Sequence, residues 1–222
     1  MKSYVVGSGT VSLKYKTGIV TATDTQASYG NLCKFKQISR IYKFKNTLLS
    51  LSGEISDIQE LVKEIKIYTE NDPVEITTQG YCRLIQRILY TKRSKVEPLN
   101  VTCTVCGINT NEISNLNNEN SDSRILCTIN HLGNFHYSDV TATGMAHLIA
   151  LPFLRDQDLD CDKKQAIKLV EEAMRIMCYR SCRNSNQIIV GVVDKEDGAV
   201  INESYYIETN WSAGHKNDEI II

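Results

Sequence analysis

The spacing of apolar residues changes several times along the chain between the two-residue period of a strand and the period of a helix. Apolar and polar residues alternate about a central glycine over residues 9–23, which predicts a β-hairpin. Residues 40–44 alternate again, and residues 47–52 form a more continuous apolar run that indicates a buried strand. Apolar residues then recur every three or four positions over residues 54–68 and 81–89, so two amphipathic helices follow the first strand block.

The second half of the chain repeats this order of strands and then helices. Residues 101–108 and 124–129 are β-rich, and residues 109–123 between them contain six asparagines, which predicts a surface loop. Residues 135–141 indicate another strand. An apolar helical run follows and ends near Leu154.

A long helix and a final pair of strands complete the pattern. Apolar residues at helical spacing line one face over residues 162–183. Residues 187–193 and 199–208 are typical of two strands joined by a turn. The order of elements predicts an α+β protein in which two sheets pack together and helices cover both outer faces.

Length and charge limit the domain organisation and the classes of partner. The 222 residues are 42% hydrophobic, enough for one domain over residues 9–208, with a short extension at 1–8 and a tail at 209–222. Lys and Arg total 25 against 26 Asp and Glu, which disfavours binding of nucleic acid or an anionic membrane through bulk charge. No apolar run approaches the roughly 18 residues of a membrane span, and the start lacks a signal peptide. We expect an intracellular chain.

The eight cysteines are interpreted as reduced thiols, because disulfide frameworks belong to small secreted domains. Cys103 with Cys106, and Cys178 with Cys182, could be imagined as a four-thiolate zinc site. Residues three apart on a strand point to opposite faces, however, which argues against a joint site for the first pair. We predict buried structural thiols and no bound metal.

Two further features resemble chemical motifs but have simpler explanations. Gly7, Ser8 and Gly9 resemble part of a phosphate-binding loop, but a strand follows them where that loop requires a helix. A flexible entry into the first strand is therefore predicted. The four histidines are scattered without the spacing of metal ligands, and no cofactor is expected.

Several strings of residues, in the same order along the chain, resemble the beta-type subunits of the proteasome core particle. Residues 9–24 are similar to the opening of such a subunit. The strings that resemble the seventh position of the eukaryotic beta ring in particular are residues 28–32, 35–41, 51–54, 142–144, 150–155 and 208–215. The resemblance spans nearly the whole chain. It implies the four-layer αββα sandwich of the N-terminal-nucleophile hydrolases, in agreement with the order of strands and helices.

The resemblance also implies where a catalytic site would lie. In active family members, cleavage exposes an N-terminal threonine, and a nearby lysine and aspartate support its attack on a peptide carbonyl. Ser8, Asp24 and Arg40 stand at the positions of the threonine, the aspartate and the lysine. An arginine stays protonated at neutral pH and cannot join proton transfer as a buried lysine can. We expect Asp24 and Arg40 to form a structural ion pair.

The residues that support catalysis in active relatives are replaced as well. Met145 stands in place of a serine, and Ser181, Asn184 and Ser185 stand in place of an aspartate, a serine and a glycine. The chain is interpreted as a non-catalytic structural beta subunit that serves ATP- and ubiquitin-dependent protein degradation. Two alternatives stay open, an active N-terminal serine hydrolase that uses Ser8 after removal of residues 1–7, and a protease built from one kind of beta subunit.

The tail suggests an interface, because it ends in three large apolar residues where a free chain end favours polar ones. The resemblance implies that such a tail reaches the opposite beta ring and helps to join half-particles, although residues 216–222 depart from the family pattern. The expected partners are beta subunits of the same and opposite ring, alpha-ring subunits and assembly chaperones, in the cytoplasm and nucleus. The expected interface residues are Asn210, Trp211, His215, Ile220, Ile221 and Ile222.

Overall fold

Two antiparallel sheets form the centre of the fold in the computed structural model, which describes residues 4–70, 76–109 and 122–214. The strands, in chain order, are β1 (Val5–Gly7), β2 (Gly9–Tyr15), β3 (Gly18–Asp24), β4 (Ala27–Tyr29), β5 (Leu32–Phe35), β6 (Ile41–Phe44), β7 (Thr47–Glu54), β8 (Val101–Ile108), β9 (Arg124–Ile129), β10 (Phe135–Tyr137), β11 (Val140–Gly144), β12 (Gln187–Asp194), β13 (Gly198–Ile201) and β14 (Tyr205–Tyr206). One sheet has the order β10-β9-β8-β7-β1-β4-β5, with β6 also paired to β7. The other has the order β11-β2-β3-β12-β13, with β14 also paired to β12.

Helices cover the outer face of each sheet. They are α1 (Ile55–Glu70), α2 (Thr78–Ser94), α3 (Ala146–Ile149), α4 (Leu151–Arg155), α5 (Lys163–Arg180) and a short 3₁₀ helix (Trp211–Gly214). Two side chains fix helix starts: the Thr77 hydroxyl accepts from the Gly80 backbone, and Asp162 forms a reciprocal capping box with Gln165. Helix α5 therefore begins where its apolar stripe begins.

Three apolar clusters separate the layers. One lies between α1 and α2 and the eight-stranded sheet, and it includes Leu61 and Ile85. A second, which includes Met174, lies between α5 and the six-stranded sheet. The third, which includes Ile19 and Leu48, lies between the two sheets. The order is therefore helix, sheet, sheet, helix, and the prediction of two packed sheets covered by helices on both outer faces is confirmed.

Three short strands differ from the sequence-based expectation. Residues 5–7 form β1. The flexible entry predicted at Gly7, Ser8 and Gly9 is therefore wrong, and these three residues are buried. The stretch around Tyr29, expected to be irregular, forms β4 and β5. Strand β1 pairs with β4 and β7, which lie far from it in the chain, whereas β5 pairs with its neighbour β4. Local alternation does not reveal the pairing of β1.

Two predicted strands are divided in the structure. The strand expected over 135–141 splits into β10 and β11, because the backbone at Ser138 and Asp139 bonds to Leu126 in one sheet and to Lys14 in the other. The chain therefore changes sheets there. The strand expected over 199–208 splits into β13 and β14, which pair with separate parts of β12.

The cysteine geometry agrees with the strand argument for Cys103 and Cys106, which are buried. Cys178 is only half-buried and Cys182 is exposed, so the prediction of buried thiols is wrong for that second pair. Cys103 packs in the cluster beneath the helices and Cys106 packs in the cluster between the sheets, so their thiols lie on opposite faces of β8. Within the described residues, no helix is both long and apolar enough to span a membrane. The asparagine-rich loop predicted at 109–123 lies almost entirely outside the described part of the chain.

Candidate functional site

A hairpin brings Ser8 beside Asp24. In the β2–β3 pair Thr10 lies opposite Thr23, so the start of β2 meets the end of β3. Ser8 immediately precedes β2, and its hydroxyl donates to Oδ1 of Asp24 across 3.3 Å. Both residues are buried. The structure thus brings these two residues together.

Arg40 occupies the same site and links the two sheets. It precedes β6, its side chain is fully buried, and its Nη2 forms an ion pair with Oδ1 of Asp24. The guanidinium also donates to three backbone carbonyls, those of Asp24 (2.9 Å), Gly9 (3.2 Å) and Leu51 (3.3 Å). Asp24 and Gly9 belong to the six-stranded sheet, whereas Leu51 lies in β7 of the eight-stranded sheet. The expected structural ion pair is therefore present.

The surroundings of Asp24 have opposing effects on the pKa of its carboxyl group. Burial raises the pKa of this carboxyl above its ordinary value, and the Arg40 charge and the backbone N–H groups of Gln26 and Ser185 oppose that rise. Because a guanidinium does not lose its proton, neutralising Asp24 would leave a buried cation unpaired. The Arg40 charge therefore favours the ionised form of Asp24, and Arg40 itself cannot accept a proton from Ser8.

Gly7 fits directly against Arg40. A Cβ atom added to Gly7 would lie 2.4 Å from Cδ of Arg40, so a larger residue would require the buried arginine to move. Gly7 is the last residue of β1, which lies between β7 and β4 through pairs such as Val6 with Glu54 and Val6 with Ser28. The nitrogen of Ser8 is thus part of a peptide bond at the end of a paired strand.

The loop before α3 also touches Ser8. The Met145 backbone N–H donates to the Ser8 carbonyl across 2.8 Å. Gly144 is required at this approach, since its φ is +59° and an added Cβ would lie 2.2 Å from the same carbonyl oxygen. The Met145 side chain is exposed, and a thioether could not replace the hydrogen-bonding of a serine at this place.

The three other predicted site residues lie in the loop after α5. The Ser185 hydroxyl donates to the Gln187 carbonyl, and only its backbone faces Asp24. Asn184 is buried, and neither atom of its amide has a hydrogen-bond partner among the described residues. Ser181 follows α5 and accepts from the Arg183 backbone, so it joins the loop rather than the ion pair.

Gly7, Gln26 and Leu51 contribute to the site but are not among the residues predicted from the sequence. Gln26 donates its backbone N–H to Oδ2 of Asp24 across 3.1 Å, and Leu51 contributes only a carbonyl. Backbone contacts of this kind do not depend on residue type, so the sequence carries no signal for them. Gly7 does carry a sequence signal, because glycine is often found where another group packs closely against the backbone.

The start of the tail is fixed against α5. The Trp211 ring packs edge to face on Tyr179 with ring centroids 4.9 Å apart, and the Asn210 backbone donates to the Tyr179 hydroxyl. Trp211 nevertheless remains 63% exposed. His215 and Ile220, Ile221 and Ile222 lie outside the described residues.

Comparisons with known proteins agree on one family. A profile of the family described as "Proteasome subunit" matches residues 5–193. The chain is 45% identical, over its whole length and that of the relative, to a probable proteasome subunit beta type-7 of Encephalitozoon cuniculi. It is 30% identical to proteasome subunit beta type-4 of Arabidopsis thaliana, over 94% of this chain and 82% of the relative. It is also 30% identical to proteasome subunit beta type-7 of Saccharomyces cerevisiae, over 92% and 79% of the two chains. The chain therefore belongs to the proteasome subunit family, as a beta-type subunit.

Proposed function

We propose that this chain is a non-catalytic structural beta subunit of a eukaryotic proteasome core particle, with the αββα fold of the N-terminal-nucleophile hydrolases. Its role is to complete the beta ring and to help join half-particles, in support of ATP- and ubiquitin-dependent protein degradation. The observation that carries the proposal is the buried Arg40 paired with Asp24 beside Ser8.

Arg40 cannot act as the proton acceptor for Ser8 that a lysine at this position would provide. A serine hydroxyl is a weak nucleophile unless an adjacent base takes its proton. Arg40 stays charged, and both oxygens of Asp24 already accept hydrogen bonds, Oδ1 from Arg40 and Ser8 and Oδ2 from Gln26. In this arrangement Ser8 donates a structural hydrogen bond to a carboxylate that forms an ion pair with Arg40.

Strand β1 argues against the alternative of an active N-terminal serine. That mechanism needs the residues before Ser8 to be removed so that its amine becomes free. Those residues include the strand that connects β7 to β4 in the eight-stranded sheet. Cleavage after Gly7 would leave β4 and β5 without their link to the rest of that sheet.

Substituting Ser8 tests the proposal in the assembled complex. We expect Ser8→Ala to leave the peptide-hydrolysing activities of the purified complex within error of the wild type, because Ser8 takes no part in chemistry. Its one long hydrogen bond to Asp24 contributes about 1–2 kcal/mol to stability and nothing to chemistry. Loss of any one peptidase activity, with the amount of complex unchanged, would contradict the proposal.

The proposed partners follow from this role. They are neighbouring beta subunits of the same ring, beta subunits of the opposite ring, alpha-ring subunits and assembly chaperones, and the proposed location is the cytoplasm and nucleus. Family membership supports other proteasome subunits as partners. Nucleic acid and membranes are not proposed as partners.

We also propose that the tail joins half-particles through Asn210, Trp211, His215 and Ile220–Ile222. Support comes from Trp211, whose large apolar ring remains mostly exposed although its backbone neighbour is anchored on Tyr179. Removing residues 211–222 should therefore make half-particles accumulate at the expense of full particles.

The tail prediction is measured by native gel electrophoresis with mass analysis of each band. A second variant that lacks only residues 216–222 keeps the contact between Trp211 and Tyr179 and serves as the comparison. An effect of the longer deletion alone assigns the role to residues 211–215. Unchanged amounts of full particle in both variants reject a role for the tail.

A further inference from the structure

A cleft of about 440 Å³ opens where the edges of the two sheets meet. Strands β10 and β11 form these edges, and helices α3 and α4 form the opposite wall. The floor is formed by buried residues, among them Thr128, Thr141 and Leu151. Thr143 lines the cleft, whereas Ser8, Asp24 and Arg40 do not. The cleft therefore adjoins the site described above through Gly144, which lines the cleft and also approaches the Ser8 carbonyl, but it does not contain the ion pair.

The rim of this cleft is basic. His136 from β10, His147 from α3 and Arg155 from α4 line it, and all three are exposed. None of the described residues that line the cleft carries a carboxylate. The nearby Asp139 is already paired with Lys14 at 2.9 Å, so it does not neutralise the rim.

Two further groups in the cleft lack a partner within the described part of the chain. The Arg155 guanidinium makes no hydrogen bond or ion pair there. The Ser138 hydroxyl is buried and finds no hydrogen-bond partner among the described residues, although buried hydroxyls are normally satisfied. By contrast, the hydroxyls of Thr128 and Thr141 on the floor bond to each other at 2.7 Å. The cleft therefore holds two donors that the described residues leave unused, Arg155 and Ser138.

We propose that this cleft binds the carboxylate of an Asp or Glu side chain from a neighbouring subunit. The inference rests on the proposed function, because it needs a partner chain. A guanidinium can donate two parallel hydrogen bonds to a carboxylate, and the Ser138 hydroxyl can donate another. Leu148, which is 70% exposed at the rim, offers an apolar contact to the methylene groups of such a side chain.

His147 brings a second ring nitrogen, Nε2, to the cleft. Its Nδ1 lies 3.3 Å from the Ala142 carbonyl, which can only accept, so that nitrogen carries the hydrogen in this contact. The remaining ring nitrogen, Nε2, then donates to an anion only when the imidazole is protonated.

The first test installs an amine at the proposed contact. Arg155→Lys keeps the positive charge, and a carbodiimide then joins the lysine to any carboxylate in contact with it, within the purified native complex. We expect mass spectrometry to find residue 155 joined to an Asp or Glu side chain of another subunit. A link from Lys14 to Asp122 or Asp139, at 3.1 and 2.9 Å, serves as the internal positive control.

The outcomes separate the two proposals. A link to the C-terminal carboxylate of another chain would overturn the assignment to a side chain, and absence of any link between subunits at residue 155 beside the positive control would overturn the binding proposal. Absence of this chain from every hetero-oligomeric complex, even as wild type, would instead reject the proposed function itself.

Charge reversal provides an independent measurement. We expect Arg155→Glu to lower the ratio of assembled to free chain by about tenfold, because it places like charges together at an interface, and Arg155→Gln to have a smaller effect. Arg93→Glu, on the exposed end of α2, is the matched control and should leave the ratio unchanged. Equal ratios for Arg155→Glu and Arg93→Glu would contradict the proposal.

Discussion

Replacing Arg40 with methionine is expected to lower the free energy of unfolding by about 3–5 kcal/mol, because it leaves the Asp24 carboxylate buried without its partner. The loss includes the contacts that Arg40 makes with carbonyls of both sheets, at Gly9 and Leu51. Methionine fills much of the same volume, so a cavity contributes little to the effect. Urea-induced unfolding of the purified chain, followed by circular dichroism, measures the change in midpoint.

A double substitution separates the cost of an unpaired charge from the worth of the pair. Asp24→Leu together with Arg40→Met removes both charges, and a buried ion pair replaced by apolar residues often costs little. We expect the double variant to be more stable than Arg40→Met alone. A single variant with an unchanged midpoint, or a double variant that loses the sum of both single effects, would show that the pair does not organise this site.

Deleting residues 1–7 is expected to disrupt the eight-stranded sheet and not to create an enzyme. The deletion removes β1, which pairs with β4 at three positions and with β7 at two. Each backbone hydrogen bond contributes about 1 kcal/mol net, so the combined loss of about 5 kcal/mol is a substantial part of the roughly 5–15 kcal/mol that stabilises an ordinary domain. It also uncovers Arg40, against which Gly7 packs.

Hydrogen exchange within the purified complex measures the effect of this deletion. We expect faster exchange over β4 and β5 and at least a tenfold drop in incorporation of the chain. Deletion of residues 1–3 alone leaves β1 whole and is the matched control, with normal incorporation expected. If the variant that lacks residues 1–7 assembles normally and gains peptidase activity, the result would support the alternative of an active Ser8.

Much of the fold follows from local patterns in the sequence. Strands β8 and β9 have the predicted bounds, because each is an apolar β-rich run ended by polar residues. Helix α5 begins at its predicted start, since Asp162 and Gln165 form a capping box there. These features depend on neighbours a few residues away, which is the range that periodicity reports.

The elements that the sequence analysis misses have either a weak local pattern or a distant partner. Strand β5 is mostly exposed at the sheet edge, so it shows little of the alternation of a half-buried strand. Strand β1 is defined by its pairing with residues far along the chain, such as Glu54. The ion pair of Asp24 and Arg40 could be predicted from the resemblance to a family, whereas the unpaired Ser138 hydroxyl required the tertiary structure.

The intact mass of this chain within the native complex tests the central claim most directly. The complex is purified from its own cells, treated with an epoxyketone that labels N-terminal nucleophiles, and dissociated in the mass spectrometer. We predict a large hetero-oligomer with two copies of a chain that still carries residues before Ser8 and bears no label. A chain that begins at Ser8 and carries the label would contradict the non-catalytic account.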